Sequence, residues 1–316
     1  EEEAKKVLAK AGKEPEEILI SSEKEEAQEI LDLMEREDYS SALSRLEVIK
    51  GEEHPLFSQS TIDFLEGKCY YQLGDFSKAF DLLSRALASP EESFQEEALF
   101  YYLNSAYHLQ KWDKVIEAYA RMENKDDSSV RFRAALAYYY SGNHEESIPI
   151  LRSLQNDPDF SSSATSLLVE ELFLIKDYSQ CAEEAQKFLD TFPPDSQRER
   201  VLYLASWAFY YSDDLEKAKE LIKSYQTEFP GGKYGEELSS LLADLYLFQG
   251  EVDKAIAILR EIEESSDHHR KLYTWYRLGN AYLGREDFAH ALPYFQNIFQ
   301  AGESEYQTVA GYQWGV

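Results

Sequence analysis

Apolar residues fall three and four positions apart over one stretch after another, as in Trp275, Leu278, Gly279 and Tyr282 or in Ala291, Phe295 and Ile298, with polar residues between them. That spacing gathers the apolar side chains on one face of an α-helix, and no stretch alternates as a half-buried strand would. Between the helical stretches a short phrase returns: Leu73-Gly74-Asp75-Phe76-Ser77-Lys78-Ala79, Ser141-Gly142-Asn143-His144-Glu145-Glu146-Ser147, Gln249-Gly250-Glu251-Val252-Asp253-Lys254-Ala255 and Arg285-Glu286-Asp287-Phe288-Ala289-His290-Ala291. It reads as a turn and a helix start. Glycine or a polar residue ends one helix, Asp, Asn or Ser caps the next, an aromatic or apolar residue staples the corner, and a small residue lets two helices approach closely. Weaker copies surround Tyr39 and Ala42, Trp112 and Val115, Tyr178 and Cys181, and Leu215 and Ala218. Anchored on the small residue, the series is Ala42, Ala79, Val115, Ser147, Cys181, Ala218, Ala255 and Ala291, with spacings of 37, 36, 32, 34, 37, 37 and 36. Eight anchors at one period predict stacked helix-turn-helix units, each burying its apolar stripe on the next.

Proline marks the same punctuation. Phe192-Pro193 and Phe229-Pro230 close two repeats, where the second helix cannot continue. Pro149 and Pro293 fall two residues after their anchors, inside second helices, where a first turn that lacks intrahelical acceptors is expected to tolerate them. The period sets the expected organisation: residues 1–22 an N-terminal cap or tail, 23–302 a solenoid of about eight repeats, and 303–316 the first helix of an incomplete further repeat or cap. The first segment holds a short helical pattern, Ala4 to Ala11, ended by Gly12. The last carries Tyr306, Val309, Gly311 and Trp314 at helical spacing, and a helix without its partner must be covered by further chain or by another molecule, self-association included.

These residues resemble the tetratricopeptide repeat family. The last repeat carries the family's signature positions in order in Trp275, Leu278, Gly279, Tyr282, Phe288, Ala291 and Phe295, and the second supplies Gly67, Tyr70, Gly74, Phe76 and Ala79. The resemblance covers about residues 24–300. It implies an all-α, right-handed superhelical solenoid whose first helices line a concave groove used to bind proteins or peptides. Repeats longer than the usual length and the two Phe-Pro closures are similar to the subtype found in bacterial cell-envelope proteins, such as the outer-membrane assembly lipoprotein and the Tol-associated periplasmic factor, which implies a periplasmic or envelope setting, with the cytoplasm as the alternative.

Charge narrows the partner. Sixty acidic against thirty-two basic residues give a net charge of −28, which repels nucleic acid and anionic lipid and favours encounter with a basic or amphipathic protein segment. No apolar run approaches the length that spans a bilayer, so direct bilayer insertion is not expected. Cys69 and Cys181 have neither metal nor redox spacing and read as buried small hydrophobes.

Aligning the repeats on their anchors and taking the positions that the resembled family uses as its groove gives Phe64, Phe100, Phe132, Tyr140, Tyr203, Trp207, Tyr210, Tyr211, Phe248 and Tyr276, together with Phe173 and Tyr273. Tyr71, Tyr107 and Tyr139 fall at groove positions too, with wedging between consecutive repeats as the alternative. Carboxylates at Glu97, Glu170, Glu237 and Asp244 interleave with the rings. Tyrosine and tryptophan anchor interfaces because they bury much area at little cost in rotamer entropy. The densest group is Tyr203, Trp207, Tyr210 and Tyr211, too many rings for one helix to bury. Lys68, Asn104, Arg200 and Asn280 are too scattered to clamp a peptide carboxylate.

Catalysis finds little support, and no metal or cofactor is expected. Gly231-Gly232 falls in an inter-repeat loop, His268-His269 is an adjacent pair, and His54, His108, His144 and His290 lie in separate repeats. A non-enzymatic scaffold or adaptor is therefore the expected function. A chaperone for an aggregation-prone client is one alternative, and a carbohydrate- or peptidoglycan-binding or hydrolysing helical toroid using pairs such as Glu96-Glu97 or Glu170-Glu171 is the other.

Overall fold

The computed structural model describes residues 15–50, 57–89, 93–194, 196–265 and 268–301, which among themselves contain helices and turns but no strand. The helices are α1 (Pro15–Glu35), α2 (Tyr39–Ile49), α3 (Gln59–Gln72), α4 (Phe76–Ala86), α5 (Gln95–His108), α6 (Trp112–Arg121), α7 (Ser128–Tyr140), α8 (His144–Leu154), α9 (Ser161–Leu174), α10 (Tyr178–Thr191), α11 (Arg198–Tyr211), α12 (Leu215–Glu228), α13 (Gly235–Phe248), α14 (Val252–Ser265), α15 (His268–Gly284) and α16 (Phe288–Gln300). The chain divides into two compact units, residues 1–164 and 165–316. Helices next to each other in the chain pack together from α1 through α8 in the first unit and from α10 through α16 in the second, the pattern of an all-α repeat solenoid. Ile62, Leu83, Leu103 and Val115 are central to the core of the first, and Phe188, Leu202, Tyr225, Leu242 and Phe295 are among the buried residues of the second.

The anchors sit where each first helix meets its second. Ala42, Ala79, Val115, Ser147, Cys181, Ala218 and Ala255 expose none of their surface, and Ala291 exposes 2%. Close approach explains the choice of small residues on both helices. A Cβ added to Gly67 would lie 2.7 Å from Leu83 Cγ, and one added to Gly279 would lie 2.7 Å from the Phe295 ring. Where the anchor carries a polar atom, that atom is satisfied locally: Ser147 Oγ donates to the Ala135 carbonyl at 3.0 Å, and Cys181 Sγ to that of Val169 at 3.3 Å. Burial pushes the thiols of Cys69 and Cys181 up to about 12.

A second regularity underlies the turn. Every turn within a repeat holds one residue in the left-handed region: Glu37, Gly74, Gln110, Gly142, Lys176, Asp213, Gly250 and Glu286, with φ between 56° and 81°. Three are glycine, for which this conformation is free. The other five hold an L side chain where it is disfavoured by about 1 kcal/mol or more. Part of that strain is offset because glycine loosens the unfolded chain, so Gln110→Gly and Lys176→Gly together are expected to stabilise the fold by about 1 kcal/mol, seen as a rise in Tm of about 2–4 °C. An unchanged or lower Tm would show that these turns are unstrained.

The residue after the left-handed position caps the second helix. Asp38, Asp75, Asp177 and Asp214 each accept the N–H three residues on at 3.1 Å, and Asp287 does so at 3.3 Å. Hydrogen bonds from Ser41, Lys78 and His290 hold the carboxyls of Asp38, Asp75 and Asp287 below the usual carboxylate range. A depressed folded pKa adds stability above the unfolded value near 3.9, and that stability is lost as pH falls through the folded value. Replacing all three by serine, which caps without titrating, is therefore expected to lower Tm slightly at about pH 6, by a margin that shrinks as pH falls through the folded values. A Tm difference undiminished in acid would contradict the charged caps.

Two expectations from the sequence need correction. α1 begins at Pro15, so the first helix starts inside the segment read as a cap or tail, with proline at the first helical position, which has no intrahelical partner to lose. Pro149 and Pro293 are each the sixth residue of their helix, not in the first turn, so each forfeits one interior hydrogen bond. The readings placed on residues 1–14 and 303–316, including self-association through a C-terminal helix, lie outside the described residues.

Candidate functional site

The first residue of a second helix recurrently meets the last residue of the next repeat's first helix. In the first unit Phe76 of α4 stacks on His108 of α5 at 3.9 Å between ring centroids, and Trp112 of α6 stacks on Tyr140 of α7 at 4.7 Å. In the second unit Tyr178 of α10 stacks on Tyr211 of α11 at 4.5 Å. At the next step the first member is Leu215 of α12, and the ring that would be covered, Phe248 of α13, is 80% exposed. A cavity of about 590 Å³ opens there, lined by Tyr210, Tyr211, Asp213, Leu215, Asp244, Leu245 and Phe248. One aliphatic side chain in place of a ring thus leaves a pocket between α11 and α13.

α11 supplies an aromatic wall beside it. Trp207 stacks on Tyr211 at 5.7 Å, Tyr210 meets both edge-on at 5.8 and 5.3 Å, and Tyr211 is 50% exposed. One turn earlier Tyr203 is half-buried, stacked on Tyr234 at 4.2 Å, and its hydroxyl donates to Glu237 Oε1 at 2.8 Å. Burial first, and then the Glu237 carboxylate, hold the Tyr203 phenol protonated well beyond its ordinary range.

The two helices are fixed by a polar clamp under the Phe-Pro-Gly-Gly turn. Tyr225 of α12 is fully buried, donates its hydroxyl to Glu199 of α11 at 2.7 Å and accepts the Tyr234 N–H at 2.8 Å. Glu199 also accepts the Lys233 N–H at 2.8 Å. A side chain at Gly232 would strike both Glu199 and Tyr225, which explains the second glycine. Burial pushes the Tyr225 phenol up to about 12, so its hydroxyl keeps its proton near neutral pH.

The remaining groove candidates fare differently. Phe64 is 5% exposed and stacks on Phe94 at 4.6 Å: this is a correction, because Phe94, at the start of α5, covers the ring that the repeat pattern leaves open. Phe100 and Phe132 are half-buried against Tyr101 and Phe160, at 5.3 and 5.2 Å. Tyr140 remains 59% exposed on its Trp112 stack, and Tyr276 is half-buried on α15. The structure therefore gathers Tyr203, Trp207, Tyr210, Tyr211 and Phe248 in the second unit, while Phe64, Phe100, Phe132 and Tyr140 serve separate contacts in the first. Leu215, read only as part of a weaker copy of the turn phrase, and Asp213 were not among the groove candidates; the signal was a missing ring at the staple position.

The carboxylates have structural partners. Glu97 pairs with Lys68 at 2.6 Å, Glu170 pairs with Arg200, and Glu96 accepts the N–H groups of Glu123 and Asn124 at 3.3 and 2.9 Å. Asp244 binds Arg277, a guanidinium only 5% exposed that also donates to the Ser240 carbonyl at 2.8 Å, and burial raises the Asp244 carboxyl above its ordinary value against the pull of Arg277. Among the described residues no three of His, Cys, Asp and Glu converge as a metal site, and no helix is long and apolar enough to cross a membrane.

No protein-family model matches the sequence, and no curated protein does either. Solved structures do. The C-terminal part of a TPR repeat-containing protein from Cytophaga hutchinsonii superposes with a TM-score of 0.60 at 13% identity, over 78% of this chain and 98% of that one. The chain has the tetratricopeptide-repeat fold. A second TPR neighbour, YrrB, a protein with an unusual peptide-binding site, aligns with a TM-score of 0.51 at 13% identity over 64% of this chain and 97% of its own. In TPR terms the pocket joins the first helices of adjacent repeats, α11 and α13, and its floor is the turn into α12.

Proposed function

We propose that this TPR chain is a non-enzymatic interaction scaffold that holds a protein or peptide segment against the first helices of its second unit. The observation that carries this reading is the interrupted ring stack at Leu215, which leaves Phe248 80% exposed beside the half-exposed Tyr211 and opens a cavity of about 590 Å³. A concave apolar pocket with a few polar groups at its edge is the usual form of a binding site. That YrrB carries a peptide-binding site on the same fold supports a peptide or protein occupant.

Filling the pocket from within tests the reading without removing any contact. Leu215→Trp restores a ring where the other stacks have one, so the variant is expected to fold with unchanged or higher Tm and to lose about tenfold or more in affinity for the partner captured from native lysate. A recurrent single partner lost by the variant supports the scaffold, whereas a broad set of unfolded clients points to a chaperone. Full retention of the partner by folded Leu215→Trp would remove the site.

A further inference from the structure

Within this binding reading, on which it rests, we infer that the pocket between α11 and α13 receives the side chain of an arginine in the bound segment. Three features of the lining converge on a planar cation. Phe248, 80% exposed, offers an aromatic ring that attracts a cation through the negative face of the π system, and the half-exposed Tyr211, stacked against Tyr178 and Trp207, lines the same cavity. Leu215 and Leu245 supply an aliphatic floor suited to a methylene stem. Asp213 and Asp244 bring two carboxylates to the same cavity.

The two carboxylates differ in what they still need. Asp244 is already tied to the buried Arg277. Asp213 is held in the left-handed turn at φ 65°, its own N–H donating to the Tyr210 carbonyl at 3.2 Å, and among the described residues its carboxylate has no ion-pair partner. An apolar side chain seated here would strip water from Asp213 and give nothing in return, whereas a guanidinium can stack on a ring and pair with the carboxylate in its own plane. An acidic side chain would meet Asp213 with like charge. The chain's net charge of −28 also favours the approach of a basic segment.

The test uses the full chain and four fluorescein-labelled peptides, Leu-Ser-Leu-X-Leu-Ser-Leu with X arginine, citrulline, lysine or leucine, titrated by fluorescence anisotropy at low salt. Citrulline keeps the shape of arginine and removes its charge. The arginine peptide is expected to bind about tenfold more tightly than the citrulline peptide, and the lysine peptide to fall between them. Asp213→Asn, which suits a left-handed turn, is expected to bring the arginine-to-citrulline ratio to about twofold or less, and Phe248→Ala, at a site 80% exposed and so harmless to the fold, to weaken the arginine peptide about tenfold. Equal binding of arginine and citrulline peptides, a ratio unmoved by Asp213→Asn, or a lysine peptide matching the arginine one would overturn the inference. Equal binding that Phe248→Ala still weakens would overturn the arginine while leaving the binding face intact. Failure of every peptide, with native capture still sensitive to Leu215→Trp, would do the same, and loss of that sensitivity too would sink both.

Discussion

A chain carrying Trp207→Ala and Tyr211→Ala is expected to bind its partner about a hundredfold or more less tightly while keeping its helical content. Each ring of this kind, when it anchors an interface, contributes about 2 kcal/mol or more, and about 1.4 kcal/mol is a factor of ten. The two rings stack on one another at 5.7 Å, so their losses will not simply add, and the double variant is the cleaner measurement. Tyr211 is half-exposed and Trp207 only partly buried, so truncation removes more contact area than core. Circular dichroism and the urea midpoint establish that the variant is folded, and Leu215→Trp, which fills the same place by addition, gives an independent route to the same loss. A folded double variant with unchanged affinity would mean that the aromatic wall of α11 is architecture alone.

Gly279→Ala is expected to destabilise the second unit by about 2 kcal/mol. The added Cβ would stand 2.7 Å from two atoms of the Phe295 ring, which is 1% exposed and cannot swing into solvent. Shortening that ring should restore room. Phe295→Leu alone is expected to cost about 1–2 kcal/mol through lost packing, and the double variant to cost clearly less than the sum of the two. Urea unfolding followed by circular dichroism reads all three. Because repeat stacks unfold through neighbour interfaces, a change of slope as well as of midpoint is informative. Additive losses, or a neutral Gly279→Ala, would contradict the close approach of α15 and α16.

The repeat was legible because its demands are local. A cap must accept an N–H three residues on, a corner needs a staple, and two crossing helices need a small residue where they touch, so Asp75, Phe76 and Ala79 announce themselves within one phrase. The strained turns were harder to see. Gly74, Gly142 and Gly250 signal a left-handed residue, but Gln110 and Lys176 adopt it because the helices on either side impose it, and no side-chain preference records that. Phe64 failed for a related reason: its place in the repeat is that of a groove residue, and what buries it is Phe94, whose position above it depends on how the next repeat docks. The dense rings of α11 were visible as a group. The pocket beside them was not, since it arises from what Leu215 lacks, and a missing ring has meaning only once Phe76, Trp112 and Tyr178 have shown what usually stands there.

Site-specific photo-crosslinking tests the central claim most directly. A benzophenone side chain in place of Phe248, 80% exposed at the pocket, is compared with one in place of Phe288, 63% exposed at the start of α16. Irradiation in native lysate is expected to give a discrete partner adduct from position 248, abolished by Leu215→Trp, and none from position 288. Equal adducts at both positions, or a partner that crosslinks at 288 and not at 248, would contradict a binding face between α11 and α13.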